Sequence, residues 1–447
     1  MQSLFAQLIK YKKNRVIRNS FYGFIQFVIP SILLLVTTPI LIHRMGADAY
    51  GLWMLATTAL GLMGIVDFGL STSISKFVAE FVGSGDTDAL SVLVLGGLSV
   101  YILLGGGLII PLYYYAPTFS QIFKPSETIS AEQIGQVIRI MSFGFLPLMV
   151  RTGALAVPVG LQQFEVLLVG IVYQILSYGV ALLVTLWGGS VEQVVIGTVV
   201  VLWATALWSL RVAHRSLRVF SLRLHVSHRV KDVWRKVFSF SLMSGISGLG
   251  SRIFNYVDRL AVGAVLGLDA VAYYSIIVSV SSKILHLSSS LTGTLMPAVS
   301  SWAASGQTHR VRPNFYRAFL LILIMNFLVC IFLLLFSEPL LKLWIGEDFT
   351  RKVLLPFRVL VLIYSLISIN TPSYFVANGL GLPYLNAISS TLGGLLTVLL
   401  IFIFGPYWGL TGVAWANCGY FSTMIQTIGV FYNLQKAGRK LESNNEF

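Results

Sequence analysis

Apolar runs of about 20 residues, the length that carries a helix across roughly 30 Å of hydrocarbon, recur almost without interruption from Ser20 to Tyr432. No water-soluble core can absorb so many of them: 56% of the 447 residues are hydrophobic and only 11% charged, with a mean hydropathy of +0.81. Continuous stretches such as Ile32 to Ile42 and Leu320 to Phe336 lack the alternation of a barrel strand, and in lipid each backbone group must find its partner within its own segment. The expectation is an all-α integral membrane protein of about 12 transmembrane helices. They fall near 20–42, 50–70, 89–115, 134–160, 165–187, 191–213, 237–262, 270–296, 315–336, 353–378, 384–404 and 408–432.

The densest positive charge lies between Arg211 and Lys236 and parts these segments into two sets of six. The chain thus divides into an N-terminal tail (1–19), a first six-helix lobe (20–213), a basic linker (214–236), a second six-helix lobe (237–432) and a C-terminal tail (433–447). Lys10, Lys12, Lys13, Arg15 and Arg18 precede the first span, and Arg310, Arg312, Lys436, Arg439 and Lys440 share parity with the linker. By the positive-inside rule these segments and both termini are cytoplasmic. The opposite loops mix signs, as in Lys342 with Glu338, Glu347 and Asp348, and carry Tyr113 to Tyr115, Trp187, Trp344, Tyr407 and Trp408 as an aromatic belt. The net charge of +14 is accounted for by anchoring to anionic head groups, so membrane lipids are partners and nucleic acid is not. The first run contains Pro30 and Pro39 and continues without a small-residue cleavage site, which reads as a retained span. Cys330 and Cys418 sit in separate spans and read as free thiols.

A repeat supports two like halves. Gly46-Ala47-Asp48-Ala49 follows the first span and Gly267-Leu268-Asp269-Ala270 the seventh, an offset of 267 − 46 = 221 residues. Each half holds an even number of spans, so an axis along the membrane normal relates them, and the substrate path is expected between them.

Charge inside a span costs at least about 2.5 to 3.5 kcal/mol at the bilayer centre, so such residues face a wet cavity or a partner. At about 1.5 Å per residue, Arg151, Arg252 and Lys283 all lie roughly 20 Å into their helices. Arg252, Asn255 and Arg259 share a helix face, with Asp258 beside them, and Ser275, Ser279, Lys283, His286 and Ser290 form a polar stripe on the next helix. Pro147 and Pro158 flank Arg151 and predict bends around this space. Bland readings stand beside these: Asp258 and Arg259 as a structural ion pair, Asp67 with Ser71 and Ser75 as a packing hydrogen bond, Gly105 to Gly107 with Gly393 and Gly394 as close helix contacts. Asp86-Thr87-Asp88 reads as a helix cap, not as a metal pair. No phosphate-binding glycine loop, zinc-protease or nucleophile-elbow signature appears, and the outer loops are too short for a catalytic domain, which excludes an enzyme.

The residues 39–46 (Pro-Ile-Leu-Ile-His-Arg-Met-Gly), Tyr50-Gly51-Leu52-Trp53 and Asp67-Phe68-Gly69-Leu70 resemble the opening signature of the polysaccharide repeat-unit flippases (Wzx type). Gly160-Leu161-Gln162-Gln163-Phe164-Glu165 and Asp258-Arg259-Leu260 are similar to the same family, part of the multidrug/oligosaccharidyl-lipid/polysaccharide exporter superfamily. The resemblance implies two six-helix lobes in a bacterial inner membrane and movement of an undecaprenyl-pyrophosphate-linked oligosaccharide to the outer leaflet, for O-antigen, capsule or exopolysaccharide synthesis. Other polysaccharide assembly proteins are a further class of partner. Arg252, Lys283 and Arg151, with His286, Arg259 and Asn255, are then the candidate pyrophosphate and glycan contacts. No cofactor is expected, and voltage is one driving force. Proton or sodium coupling through Asp67, Asp258 or His286 is the other. The alternative within the superfamily is a cation-coupled multidrug exporter.

Overall fold

A computed structural model of the chain describes residues 25, 28–161, 163, 166–219, 230–305 and 307–444, with the backbone alone described at 63, 167, 219, 243–244, 246–255, 304, 308 and 436–444. Every regular element among them is helical. In chain order the α-helices are α1 (Val28–Met45), α2 (Ala47–Leu62), α3 (Leu70–Ser84), α4 (Thr87–Tyr114), α5 (Ala116–Ser120), α6 (Ala131–Ser142), α7 (Phe145–Gly160), α8 (Leu167–Leu186) and α9 (Val191–Val219). There follow α10 (Val230–Val265), α11 (Leu268–Thr292), α12 (Leu295–Ala304), α13 (Val311–Trp344), α14 (Glu347–Ser368), α15 (Thr371–Gly379), α16 (Pro383–Ala416) and α17 (Met424–Asn444), with a 3-10 stretch at Asn417–Thr423 before α17. The cationic N-terminal tail and Arg223 and Arg229 of the linker lie outside the described residues.

Among the described residues nine helical stretches are long and apolar enough to cross a membrane. What requires lipid is where their apolar side chains point. On α13, Leu321, Leu328 and Leu335 at heptad spacing are 54%, 61% and 69% exposed, and the only solvent that tolerates such a stripe is hydrocarbon. The last stretch, Pro383–Gln435, runs 53 residues and holds both of the final two expected spans. Its backbone leaves helical geometry at Gly409 (φ 54°, ψ −137°), beside exposed Tyr407 and Trp408.

In the first half of the chain two expected spans are broken inside. The second stops at Leu62, passes through a 3-10 turn and restarts as α3 at Leu70, with Phe68 (φ 41°) and Gly69 (φ 74°) in left-handed conformations. The fourth is interrupted at Phe143–Gly144, between α6 and α7. Pro147 therefore stands in the first turn of α7, where a missing N–H leaves nothing unsatisfied.

The chain resolves into two compact units, one of Met1–Gly46, Val66–Ser120 and Ala131–Gly245, the other of Ala47–Ile65, Gln121–Ser130 and Ile246–Phe447. In the first, α7 packs against α3, α4 and α9. A Cβ at Gly105 on α4 would stand 2.8 Å from the Leu146 Cα, so that glycine is a true close contact, whereas Cβ atoms at Gly106 and Gly107 would meet nothing within 4 Å. In the second, α11 packs against α2 and α14, and α14 against α13 and α16. Residues 47–65 and 121–130, expected in the first lobe, thus cluster with the second unit. The reasons are the α2–α11 contact and a loop in which Lys124 Nζ donates to the Val265 carbonyl at 2.5 Å and Thr128 Oγ1 to Asp48 Oδ2 at 2.5 Å.

The repeat has a structural counterpart. Gly46 (φ 83°) and Gly267 (φ 105°) both adopt positive φ and lead directly into α2 and α11, each with an aspartate in its first turn where the helix dipole favours it. The two helices meet at equivalent positions. Gly51, whose repeat partner is Ala272 (272 − 51 = 221), would carry a Cβ 1.8 Å from the Leu268 carbonyl oxygen and 3.3 Å from the Ala272 nitrogen. Gly51→Ala is therefore expected to force the pair apart at a cost of about 1–3 kcal/mol, seen as a lower melting temperature of the detergent-solubilised protein. Gly106→Ala, with open space around it, should leave that temperature unchanged.

Candidate functional site

The candidate residues divide between the units. Arg151 belongs to the first; Arg252, Asn255, Asp258, Arg259, Lys283 and His286 belong to the second. Arg252 and Asn255 lie on α10, and their side chains fall outside the described residues.

Arg151 occupies the middle of α7. Its guanidinium stands 4.4 Å from the centroid of the Tyr173 ring on α8. One of its terminal nitrogens, Nη1, is buried without a hydrogen-bond acceptor among the described residues. A cation held by a ring face keeps most of its donors for something else, since the ring quadrupole attracts charge but accepts no strong hydrogen bond. An anion would supply what is missing.

Asp67 is 2% exposed and is fully engaged by its surroundings. The Ser71 backbone N–H donates to Oδ1 at 3.1 Å and the Ser71 hydroxyl to Oδ2 at 2.8 Å, while the Tyr101 hydroxyl also donates to Oδ1. The carboxylate caps the restart of the helix as α3, whose first N–H groups would otherwise be orphaned. The packing reading therefore describes its contacts. Ser75 donates instead to the Ala156 carbonyl at 2.9 Å, tying α3 to α7.

In the second unit Asp258 is 3% exposed and accepts from the Tyr274 hydroxyl at 2.7 Å and from the Arg259 backbone N–H at 2.8 Å. Asn417 Nδ2 donates in turn to the Tyr274 oxygen at 3.0 Å. This chain crosses from α10 to α11 and on to the 3-10 stretch, so one carboxylate fastens three elements. The Arg259 side chain turns toward α11, with Nη2 at 3.5 Å from Ser279 Oγ and its Nε buried without an acceptor.

The predicted polar stripe on α11 is real and graded. Ser275 is buried, Ser279 and Lys283 are half-buried, and His286 and Ser290 are exposed. Lys283 and His286 stand one turn apart on the same face, and His286 borders a cavity of about 260 Å³. That cavity was not foreseen. Its walls include Asn370, Thr371, Tyr374, Thr423 and Gln426, residues in runs read as plain spans. The available signal was Pro372, which favours a kink or break in 353–378, although Pro356 in the same run is carried inside α14. Tyr173, Tyr274 and Asn417 were missed as well, because single phenols and amides inside apolar runs carry no spacing signature.

No group of three or more His, Cys, Asp or Glu arranged for a metal occurs among the described residues, and both cysteines are free.

Comparison with known proteins extends these observations. Residues 16–303 match the family described as polysaccharide biosynthesis protein, and residues 244–407 match the MatE family. A putative O-antigen transporter of Shigella flexneri is 20% identical over 347 residues, spanning 75% of this chain and 78% of that protein. A probable low-salt glycan biosynthesis flippase of Haloferax volcanii is 22% identical over 315 residues, spanning 69% of this chain and 60% of that protein. The fold is similar to that of the lipid II flippase MurJ in an inward closed conformation. The TM-score is 0.71 at 16% identity, covering 93% of this chain and 87% of that one. These relatives are transporters and flippases by name, in keeping with the resemblance carried by the opening motifs. With more than half of its length matched and its apolar helices facing lipid, this multi-pass membrane protein belongs to the polysaccharide biosynthesis protein family.

Proposed function

We propose that the protein is a flippase that carries undecaprenyl-pyrophosphate-linked oligosaccharide units from the inner to the outer leaflet of a bacterial cytoplasmic membrane, by alternating access, for assembly of a surface polysaccharide. In this reading the chain crosses the membrane twelve times, six in each half, with both termini cytoplasmic. Arg151, Arg252 and Lys283 receive the pyrophosphate, with His286, Arg259 and Asn255 beside them. The polyprenyl tail stays in lipid.

The observation that carries this reading is the state of Arg151, a cation deep in an apolar helix that leans on the Tyr173 ring and leaves a buried N–H without an acceptor. A bare pyrophosphate with about two negative charges faces a barrier of tens of kcal/mol in hydrocarbon, and a buried cation with a donor to spare, as at Arg151, offsets part of it. The rival reading, a cation-coupled multidrug exporter, is favoured by the MatE match over 244–407 and needs carboxylates to meet its cargo. Asp67 and Asp258 are both consumed by structural hydrogen bonds, which argues against it.

Reconstitution into proteoliposomes separates the two. Translocation of a fluorescent undecaprenyl-pyrophosphate-linked oligosaccharide without efflux of ethidium supports the flippase. Ethidium efflux against a sodium or proton gradient, with no movement of the lipid probe, overturns it. For energy, we propose that outward movement of about two negative charges along the inside-negative potential suffices, and that coupling to protons or sodium through Asp67, Asp258 or His286 is the competing scheme.

A further inference from the structure

Within the second unit, two membrane-depth helices are interrupted, and both interruptions open on the same cavity. One lies at Ile369–Asn370, between α14 and α15; the other is the 3-10 stretch Asn417–Thr423 between α16 and α17. Backbone that leaves α-helical geometry at membrane depth must be satisfied by neighbouring side chains or by a polar cavity. Here one side chain satisfies a backbone carbonyl and two further bonds fix the side chains around it. Asn370 Nδ2 donates to Thr423 Oγ1 at 3.1 Å, Thr427 Oγ1 donates to Asn370 Oδ1 at 2.7 Å, and Gln426 Nε2 donates to the Asn370 carbonyl at 3.3 Å. Asn370, Thr423 and Gln426 are all buried, so the wall they form is held rigidly and is not a chance gap.

The lining has a definite chemistry. It presents the hydroxyls of Ser289, Ser390, Thr371 and Thr423, two carboxamides and one phenol, together with the His286 ring at the edge and the aliphatic Leu285 and Ile367. Among the described residues no carboxylate, Lys or Arg lines it. A wall of this kind offers donors and acceptors in mixture but no compensating charge, so an ion would remain uncompensated there. An apolar guest would offer the Ser289 and Ser390 hydroxyls of the lining no hydrogen bond. The guest that matches both kinds of surface is a neutral ring rich in hydroxyl groups, its polar edge on Ser289 and Ser390 and its C–H face on Tyr374, Leu285 and Ile367. The size agrees, since about 260 Å³ holds one such ring but not an oligosaccharide.

We propose that this cavity is a sugar subsite, which takes a single neutral sugar residue of the lipid-linked cargo. Lys283, one helical turn from His286 on the same face of α11, then serves the phosphate to which that sugar is joined. The inference rests on the flippase reading and adds to it a place where the glycan is recognised apart from the anion.

The test compares lipids that differ only in the sugar, on the full-length protein in nanodiscs. Dissociation constants are measured by native mass spectrometry for undecaprenyl pyrophosphate and for the same lipid bearing one glucose, galactose or N-acetylglucosamine. At least one sugar-bearing lipid should bind about ten-fold more tightly than the bare lipid, the equivalent of one or two hydrogen bonds. Ser390→Leu, which fills the cavity, should erase that preference and leave bare-lipid binding unchanged. Should Ser390→Leu lose both lipids through misfolding, Ser289→Ala with Ser390→Ala adds no bulk and decides the matter. A loss of about three-fold or more in the preference, with bare-lipid binding intact, supports the subsite. Sugar-bearing lipids that all bind the native protein no more tightly than the bare lipid overturn the proposal, as does a preference that survives both variants. If the native protein binds neither bare nor sugar-bearing lipid, the flippase reading itself fails, a result distinct from the others.

Discussion

Alanine at both Arg151 and Lys283 is expected to lower the rate of translocation of the lipid-linked probe by about 10² to 10⁴-fold while the protein still inserts and accumulates normally. A hydrogen bond to a charged group is worth about 1.5 to 3 kcal/mol, so two such contacts to the pyrophosphate amount to about 3 to 6, and each 1.4 kcal/mol is ten-fold. Insertion should improve if anything, because each buried cation costs about 2.5 to 3.5 kcal/mol in the bilayer. The two single variants carry information of their own. Arg151→Lys keeps the charge but loses the planar fork that lies against Tyr173, and an ammonium at that site is a poorer bidentate partner for phosphate. It should fall between the native protein and Arg151→Ala. Tyr173→Phe retains the ring face and should behave as native. A double alanine variant that transports at the native rate would remove Arg151 and Lys283 from the path.

The parts of this molecule that were legible in the sequence are those where one physical constraint acts on many residues at once. Hydrocarbon demands long apolar helices, so the apolar stretches found among the described residues could be read in advance, although the second and seventh expected spans are not among the nine, and the exposed leucines of α13 follow from the same demand. The repeat at Gly46 and Gly267 was legible because a positive-φ glycine followed by an aspartate is a local solution to starting a helix, reused in each half. The stripe on α11 was legible by its period. What escaped were features decided by neighbours distant in sequence. The restart at Leu70 depends on Asp67 finding Tyr101, 34 positions away. The fastening of Asp258 depends on Tyr274 and, through it, on Asn417, 143 positions further along. The pairing of Arg151 with Tyr173 depends on how α7 and α8 face each other. Adjacency suggested Arg259 as the partner of Asp258, yet it is the Arg259 backbone N–H that donates to the carboxylate, while its side chain reaches Ser279. The assignment of α2 to the second unit was hidden for a related reason. Chain order puts it with the first six spans, and only the missing side chain of Gly51 allows the approach to Leu268 that binds it to α11.

A potential of 100 mV, inside negative, is expected to drive the probe outward to an equilibrium ratio of about 10³ or more between leaflets, with no ion gradient present. Two negative charges moving along that potential release roughly 4.6 kcal/mol, at about 2.3 per charge, and 1.4 kcal/mol corresponds to each factor of ten. The measurement is made in proteoliposomes with a potassium diffusion potential set by valinomycin and equal pH and sodium on both sides. The acids give this prediction its edge. If Asp67 and Asp258 serve the structure, then Asp67→Asn and Asp258→Asn leave the voltage response intact, since Asn can still accept from Ser71 at the one site and from Tyr274 at the other. Their cost appears as a lower melting temperature, each lost charge-assisted bond being worth about 1.5 to 3 kcal/mol. If instead either carboxylate must bind and release a cation in each cycle, its Asn variant keeps its fold and loses transport, and the native protein ignores voltage but follows a proton or sodium gradient. The two schemes predict opposite results from the same two variants, because a carboxylate can cap a helix or fasten three elements without changing its charge, whereas a coupling site must change its occupancy on every turn.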